Sequence, residues 1–178
     1  MMRQLFCLAA LSVLLLVAAS PRKQSSISTK AVRVRRGAYL ATISACHDCH
    51  SPKSDPATMT PDMERALSGR PSTTAAPAQP AAMGQISASG DLTAWYGPWG
   101  VSYASNLTPD GETGLGMRYN EASFIRTMRT GKKPEGEQLL PPMPWPNCAR
   151  MTDEDLKSLW AYLQSIKPVK NFVRQAAR

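Results

Sequence analysis

The chain has 178 residues, a net charge of +8 and 43% hydrophobic residues, which allows one domain with tails and excludes a disordered polymer. Fifteen prolines against three phenylalanines predict a small side-chain core and long irregular loops. The charge is uneven: Arg22, Lys23, Lys30, Arg33, Arg35 and Arg36 stand together with no acid among them, whereas residues 37–178 carry fourteen bases against thirteen acids.

Residues 1–19 have the form of an export signal. Arg3 gives a short positive start, Leu5 to Val17 is almost wholly apolar, and Val17-Ala18-Ala19 offers small residues for cleavage, with Pro21 favouring the bond after Ala19. The competing reading is an uncleaved anchor, but about fifteen apolar residues fall short of the roughly 20 that span a bilayer. Residues 20–31 read as a basic flexible arm. Such an arm can contact an anionic membrane surface or an acidic partner, or serve only as a solvated linker. Nucleic acid is not an expected partner of an exported chain.

From about Val32 to Cys46 the pattern turns helical, with Val34, Ala38, Tyr39, Ala41, Thr42 and Ala45 as a stripe of mostly small residues. Gly37 inside it costs roughly 1 kcal/mol against Ala, which implies close approach by another helix. At the end of this helix stands Cys46-His47-Asp48-Cys49-His50. Two thiols three residues apart, followed at once by a histidine, are the signature of covalent haem attachment. On a helix, positions 46, 49 and 50 share a face, so Cys46 and Cys49 can each form a thioether while His50 ligates the iron as proximal ligand. One buried haem c would also supply the apolar bulk that the composition lacks.

Residues 52–92 are rich in Pro, Ala, Ser, Thr and Gly and read as a long surface loop, with one short helix from Thr60 to Leu67 capped by Thr60 and stopped by Gly69. Trp95-Tyr96-Gly97-Pro98-Trp99-Gly100 sets three aromatics among turn residues, which can wall a flat apolar ligand or form a satellite core. Asn106 to Gly111 is turn chemistry, and its Asn-Leu-Thr triplet formally fits a glycosylation acceptor. Asn120 caps a helix through Phe124, Ile125 and Met128 that ends at Gly131. Thr152 caps the last helix, where Asp153, Glu154 and Asp155 complement the dipole and Leu156, Leu159, Trp160, Leu163 and Ile166 recur at helical spacing up to Pro168.

Only two histidines exist, His47 and His50, and His47 lies inside the attachment motif, where it cannot reach the opposite haem face and is expected to be exposed. A second axial ligand from this chain is therefore a methionine, whose soft thioether favours reduced iron. Met143 has the best context, in Pro141-Pro142-Met143-Pro144-Trp145-Pro146, where prolines fix the backbone at little ordering cost. Met83, Met117, Met128 and Met151 lack that frame, and Met128 reads as core. Cys148 is left over; it is either a small, partly buried residue or a thiol for intermolecular pairing.

With these residues in hand, the chain resembles the class I cytochrome c family. It is similar to exported bacterial mono-haem cytochromes that carry Asn-Leu-Thr-Pro-Asp, Thr-Gly-Leu-Gly, Met-Arg-Thr-Gly-Lys and Pro-Pro-Met-Pro-Trp, here at Asn106–Asp110, Thr113–Gly116, Met128–Lys132 and Pro141–Trp145. The resemblance runs over about residues 34–173. It implies a small all-α domain of about four to five helices around one covalently bound haem, with a long irregular insertion at 52–92. The domain would span 32–173, with 174–178 as a tail. It implies too that the first and last helices cross, with the region of Gly37 and Tyr39 meeting Trp160 and Tyr162. By the same resemblance Cys46 and Cys49 attach the haem, His50 is the proximal ligand and Met143 the distal one. Two departures from the family are the insertion and Cys148.

The expected function is therefore electron transfer by an exported cytochrome, with no catalytic residues of its own. Its redox partners would be a dehydrogenase donor, a terminal oxidase acceptor, or both; an alternative is a subunit held permanently in a dehydrogenase or oxidase complex. A haem enzyme or gas sensor would need an open iron position. A thiol-redox module would want a βαβ setting, and a zinc module a fourth ligand.

Overall fold

The structure is a computed structural model that describes residues 26–78 and 84–173. The expected export signal at 1–19, Arg22 and Lys23 of the expected arm, Met83 and the expected tail at 174–178 lie outside the described residues. Among those described, the order is α1 (Ser26–Ile43), α2 (Cys46–His50), β1 (Lys53–Asp55), β2 (Thr60–Pro61), β3 (Ser87–Ala88), β4 (Ala94–Gly97) and β5 (Gly100–Tyr103). Then come α3 (Leu115–Arg118), α4 (Glu121–Thr130), α5 (Trp145–Cys148) and α6 (Asp153–Leu163).

The helices α1 and α6 pack closely, and Gly37 is the reason they can. An added Cβ there would lie 2.0 Å from the Ser158 carbonyl oxygen and 2.6 Å from Cβ of Tyr162. Two ion pairs close the seam: Arg33 to Glu154 at 3.0 Å and Arg36 to Asp155 at 2.9 Å. Two of the clustered positive charges are thus engaged by the acids of the first turn of α6, which also complement its dipole. Tyr39 does not join the crossing; it is 55% exposed, with the Arg36 guanidinium 5.5 Å from its ring centroid.

Beneath this crossing lies the core, built from Ala41, Leu67, Leu115, Phe124, Leu159 and Leu163, with Cys46, Met128, Trp160 and Tyr162 packed against it. Phe124 of α4 meets Trp160 of α6 with ring centroids 5.3 Å apart. The capped ends of α4 and α6 follow the side-chain chemistry. Asn120 accepts from Ser123 N at 2.9 Å, Gly131 ends α4 at φ 69°, and Thr152 accepts from Asp155 N at 3.1 Å. The last helix stops at Leu163, before Ile166 and Pro168.

The expectation of an all-α domain is corrected by two small antiparallel sheets, β1-β2 and β3-β4-β5. Trp95 and Tyr96 pair with Ser102 and Val101 across a tip at Pro98-Trp99, where Gly100 takes the left-handed conformation at φ 86°. The aromatic cluster is therefore a hairpin, built of residue types that suit a pleated surface around turn residues. The other strands are only two or three residues long, too short to register as a hydrophobic alternation.

The helix expected from Thr60 to Leu67 is likewise not formed. Thr60 and Pro61 pair with β1, and Asp62 instead caps a single 3-10 turn over Met63–Arg65, accepting from Glu64 N at 3.0 Å. Leu67, wholly buried at a left-handed φ of 59°, and Gly69 at φ 81° turn the chain back into the core.

Candidate haem site

The Cys-His-Asp-Cys-His motif occupies a helix of its own rather than the end of the preceding one. Ala45 takes a left-handed conformation at φ 55° and interrupts the run between Ile43 and Cys46. The five-residue α2 carries Cys46, Cys49 and His50, and both thiols are free and half-buried.

So short a helix holds its shape through contacts outside itself. Lys53, 9% exposed, folds back so that Nζ donates to the carbonyls of Asp48 at 2.7 Å, Ser51 at 2.8 Å and His47 at 3.4 Å. A buried ammonium thus caps the C-terminal carbonyls, where the helix dipole favours a cation. Ser51, fully buried, accepts from Leu67 N at 2.9 Å and shares a 2.9 Å bond with Nδ1 of His47. His47 is therefore half-buried and hydrogen-bonded rather than exposed, and burial lowers its pKa.

His50 is oriented by a backbone carbonyl. Its Nδ1 lies 2.8 Å from the oxygen of Ser105. A carbonyl can only accept, so Nδ1 carries the proton and Nε2 keeps its lone pair. Burial lowers the His50 pKa despite that hydrogen bond, which favours the neutral ring that binds metal. A backbone carbonyl on the far nitrogen of a ligating histidine is the usual device for fixing its tautomer and strengthening its donor nitrogen.

Two further strands of chain lock the Ser105 segment. Gly69 N donates to the His50 carbonyl at 2.8 Å, and Arg70 N donates to Ala104 O at 2.9 Å. A Cβ on Gly69 would come within 2.6 Å of Ala104 O, so glycine allows this approach. Asn106 ties in the end of the chain. Its Oδ1 accepts from Thr108 N and Oγ1, and its Nδ2 donates to Thr113 Oγ1 at 3.1 Å and to Val169 O at 2.8 Å. Buried and committed at both heteroatoms, Asn106 is not an accessible glycosylation acceptor.

Met143 is half-buried, while Pro141, Pro142, Pro144 and Pro146 are exposed around it. Its loop is fastened at two points. Ser102 Oγ of β5 donates to the Pro141 carbonyl at 2.6 Å, and Leu139 N donates to the Gly131 carbonyl at 2.7 Å. Gly131 leaves room for the Trp145 ring, which a Cβ would meet at 2.4 Å. The frame around Met143 is not extended throughout, because Pro146 already lies in the first turn of α5. His50 and the Met143 loop are thus attached to one stretch of chain, at Ser105 and Ser102.

The two thiols are poor candidates for exchange chemistry. Burial pushes the Cys46 thiol up to about 12, with Cys148 and Cys49 adding to the effect, and burial also raises Cys49, beside the Trp95 indole. Thiol catalysts need the opposite shift. Among the described residues, no three His, Cys, Asp or Glu side chains converge closely enough to hold a metal ion between them. Two thiols with a preset imidazole suit a porphyrin, which brings its own four nitrogen ligands. The sequence singled out Cys46, Cys49, His50 and Met143 but not Ser105, Ser51, Lys53 or Ser102, whose roles run through backbone carbonyls and hydroxyls that carry no motif.

No protein-family model matches the chain. It is 33% identical over 172 residues to the fructose dehydrogenase cytochrome subunit of Gluconobacter japonicus, covering 94% of this chain and 29% of that protein. To the cytochrome c subunit of the quinone-type alcohol dehydrogenase of Gluconacetobacter polyoxogenes it is 34% identical over 137 residues, 76% of this chain and 22% of that protein. The gluconate 2-dehydrogenase cytochrome c subunit of Pantoea cypripedii matches at 34% over 137 residues, 76% of this chain and 24% of that protein. The chain therefore spans under a third of the length of these relatives. Over most of its own length, it is similar to cytochrome c subunits of bacterial dehydrogenases.

Proposed function

We propose that this chain is an exported mono-haem cytochrome of the class I type that accepts electrons as the bound subunit of a dehydrogenase. The subunit reading is favoured over a free shuttle by the names of its relatives, which are dehydrogenase cytochrome subunits. The observation that carries the haem reading is the 2.8 Å contact of His50 Nδ1 with the Ser105 carbonyl, one residue beyond a pair of thiols. Export rests on the apolar leader at 1–19; among the described residues, no helix is long and apolar enough to cross a membrane.

In this reading Cys46 and Cys49 would hold one haem c covalently, and His50 and Met143 would be the residues that bind its iron. Bound haem supplies a one-electron ferric–ferrous couple, and a thioether ligand favours the reduced form. The chain's own residues set the conditions. The Ser105 carbonyl holds the His50 proton on Nδ1, and Lys53 keeps the attachment helix from unwinding. Leu67, Phe124 and Leu159 supply a core from which water is excluded. No residue is assigned a bond-making role, since electron transfer requires none.

The test is a pair of visible spectra, oxidised and reduced, on protein made in a host able to assemble c-type cytochromes. A sulfur-to-iron charge-transfer band that disappears in Met143→Ala supports the assignment, and its persistence contradicts Met143 as ligand. Rapid carbon monoxide binding at neutral pH would point instead to an open iron position. Co-purification with a dehydrogenase separates the subunit from a shuttle, which would come away as a soluble, fully active monomer.

A further inference from the structure

We propose that the outward face of α1, anchored by Val32, Tyr39 and Ile43, docks into an acid-rimmed groove of the partner dehydrogenase; this rests on the subunit reading above. Val32 is 54% exposed, Tyr39 55% and Ile43 59%. At about 100° per residue, positions 32, 39 and 43 fall within roughly 40° of one another on the helix. Gly37, which meets Ser158 of α6, and Ala41, in the core, lie on the opposite side. The three side chains thus form one stripe about 16 Å long that α6 does not cover. Met63, Ile86, Met117 and Phe172 are exposed too, but each stands on a separate stretch of chain, where a lone apolar residue needs no partner. Anchors at i, i+7 and i+11 are the pattern of a helix laid into an apolar groove.

The charge beside the stripe says what the groove must carry. No acid precedes Asp48 in the chain. Arg33 and Arg36 are answered by Glu154 and Asp155, whereas Lys30 and Arg35 pair with no acid among the described residues. Arg35, exposed, borders the stripe on one side and Arg36 on the other. A surface that covers the stripe must bring carboxylates to its rim or leave cations desolvated and unpaired, which is costly.

The centre of the stripe is already ordered. Asp155 holds the Arg36 guanidinium at 2.9 Å, and Arg36 Cζ lies 5.5 Å from the centroid of the Tyr39 ring. A ring held before binding loses little freedom on docking, and tyrosine and arginine are the residue types that most often anchor protein interfaces. A helix adsorbed on a membrane buries a broad apolar face. Here the apolar strip is narrow, with cations close on both sides, which suits a groove with acidic walls. Because α1 carries none of the residues proposed to hold haem, its face can be altered without touching them.

The test takes the dehydrogenase that co-purifies with the haem-loaded chain and measures its affinity for wild type, Tyr39→Ser, Val32→Ser and Arg35→Glu at low and high salt. Circular dichroism and visible spectra check that each variant is folded and loaded. Tyr39→Ser should weaken binding roughly tenfold or more, and Arg35→Glu about tenfold at low salt but less at high salt. Met117→Ser, exposed on α3, should bind as the wild type does. Unchanged affinity in folded Tyr39→Ser and Arg35→Glu overturns the proposal; if either fails to fold, Val32→Ser takes its place under the same criterion. Phosphatidylglycerol vesicles that bind the wild type but not these variants, with dehydrogenase affinity unchanged, would assign the face to a membrane and overturn the proposal. A dimer of this chain that Tyr39→Ser abolishes, again with dehydrogenase affinity unchanged, would do the same. A wild type that co-purifies with no dehydrogenase overturns the subunit reading itself, and this proposal with it.

Discussion

His50 Nδ1 and the Ser105 carbonyl oxygen stand 2.8 Å apart across 55 positions of sequence, and that contact decides which imidazole nitrogen can bind iron. The same stretch of chain also holds the Met143 loop, because Ser102 Oγ donates to the Pro141 carbonyl at 2.6 Å. His50 and the Met143 loop, which would hold the iron, therefore share a support. Disturbing β5 should disturb both, a coupling that their positions in sequence do not suggest.

Gly37→Ala sets two effects against each other. Alanine gains roughly 1 kcal/mol over glycine within a helix. Against this, its Cβ would sit 2.0 Å from the Ser158 carbonyl oxygen, a backbone atom that cannot move aside alone. Overpacking wins, and urea denaturation should show a net loss of about 2 kcal/mol.

Lys53→Met removes the ammonium that caps α2 and leaves the carbonyls of Asp48 and Ser51 without their donor. The expected cost is about 1–3 kcal/mol. Because α2 carries both thiols proposed to attach haem, the fraction of chains holding haem, measured by pyridine haemochrome per polypeptide, should fall more than total expression does.

Asp91 gives a pH signature. Burial alone would raise its pKa, but hydrogen bonds from Ser89, Thr74 and Thr93 outweigh this and leave the carboxyl below its ordinary value. A depressed folded pKa contributes stability above the unfolded value, near 3.9, that is lost as pH falls through the folded one. Asp91→Asn should therefore cost about 1 kcal/mol at pH 7, and the gap should shrink in denaturation curves taken at pH values below the ordinary carboxylate range.

Cys148 is 6% exposed, and burial raises its pKa. A buried, protonated thiol does not cross-link chains. Non-reducing electrophoresis of the folded protein should give monomer alone, with no band that Cys148→Ala abolishes.

That Cys46, Cys49 and His50 of the candidate site share one short helix was legible in the sequence because they stand at fixed spacing. The same holds for α4 and α6, whose starts are written as Asn120 and Thr152 with side-chain oxygens on backbone N–H groups. What escaped was written in the backbone. Ala45 breaks the helix before the motif in a left-handed conformation that no glycine or asparagine announces. Ser105 acts through its carbonyl, which every residue possesses. The strands after the motif are too short for periodicity, and the Trp95–Tyr103 hairpin hid behind residues equally suited to turns and core contacts. Thr60 and Pro61 carried good helix-start chemistry, yet pairing with β1 prevailed.

The intact mass of the mature protein, purified from a host able to attach haem and compared with the Cys46→Ser/Cys49→Ser double variant, tests the central claim most directly. The account predicts a coloured wild type heavier than its polypeptide by one haem, and a variant at the bare polypeptide mass. A colourless wild type at the bare mass would contradict it.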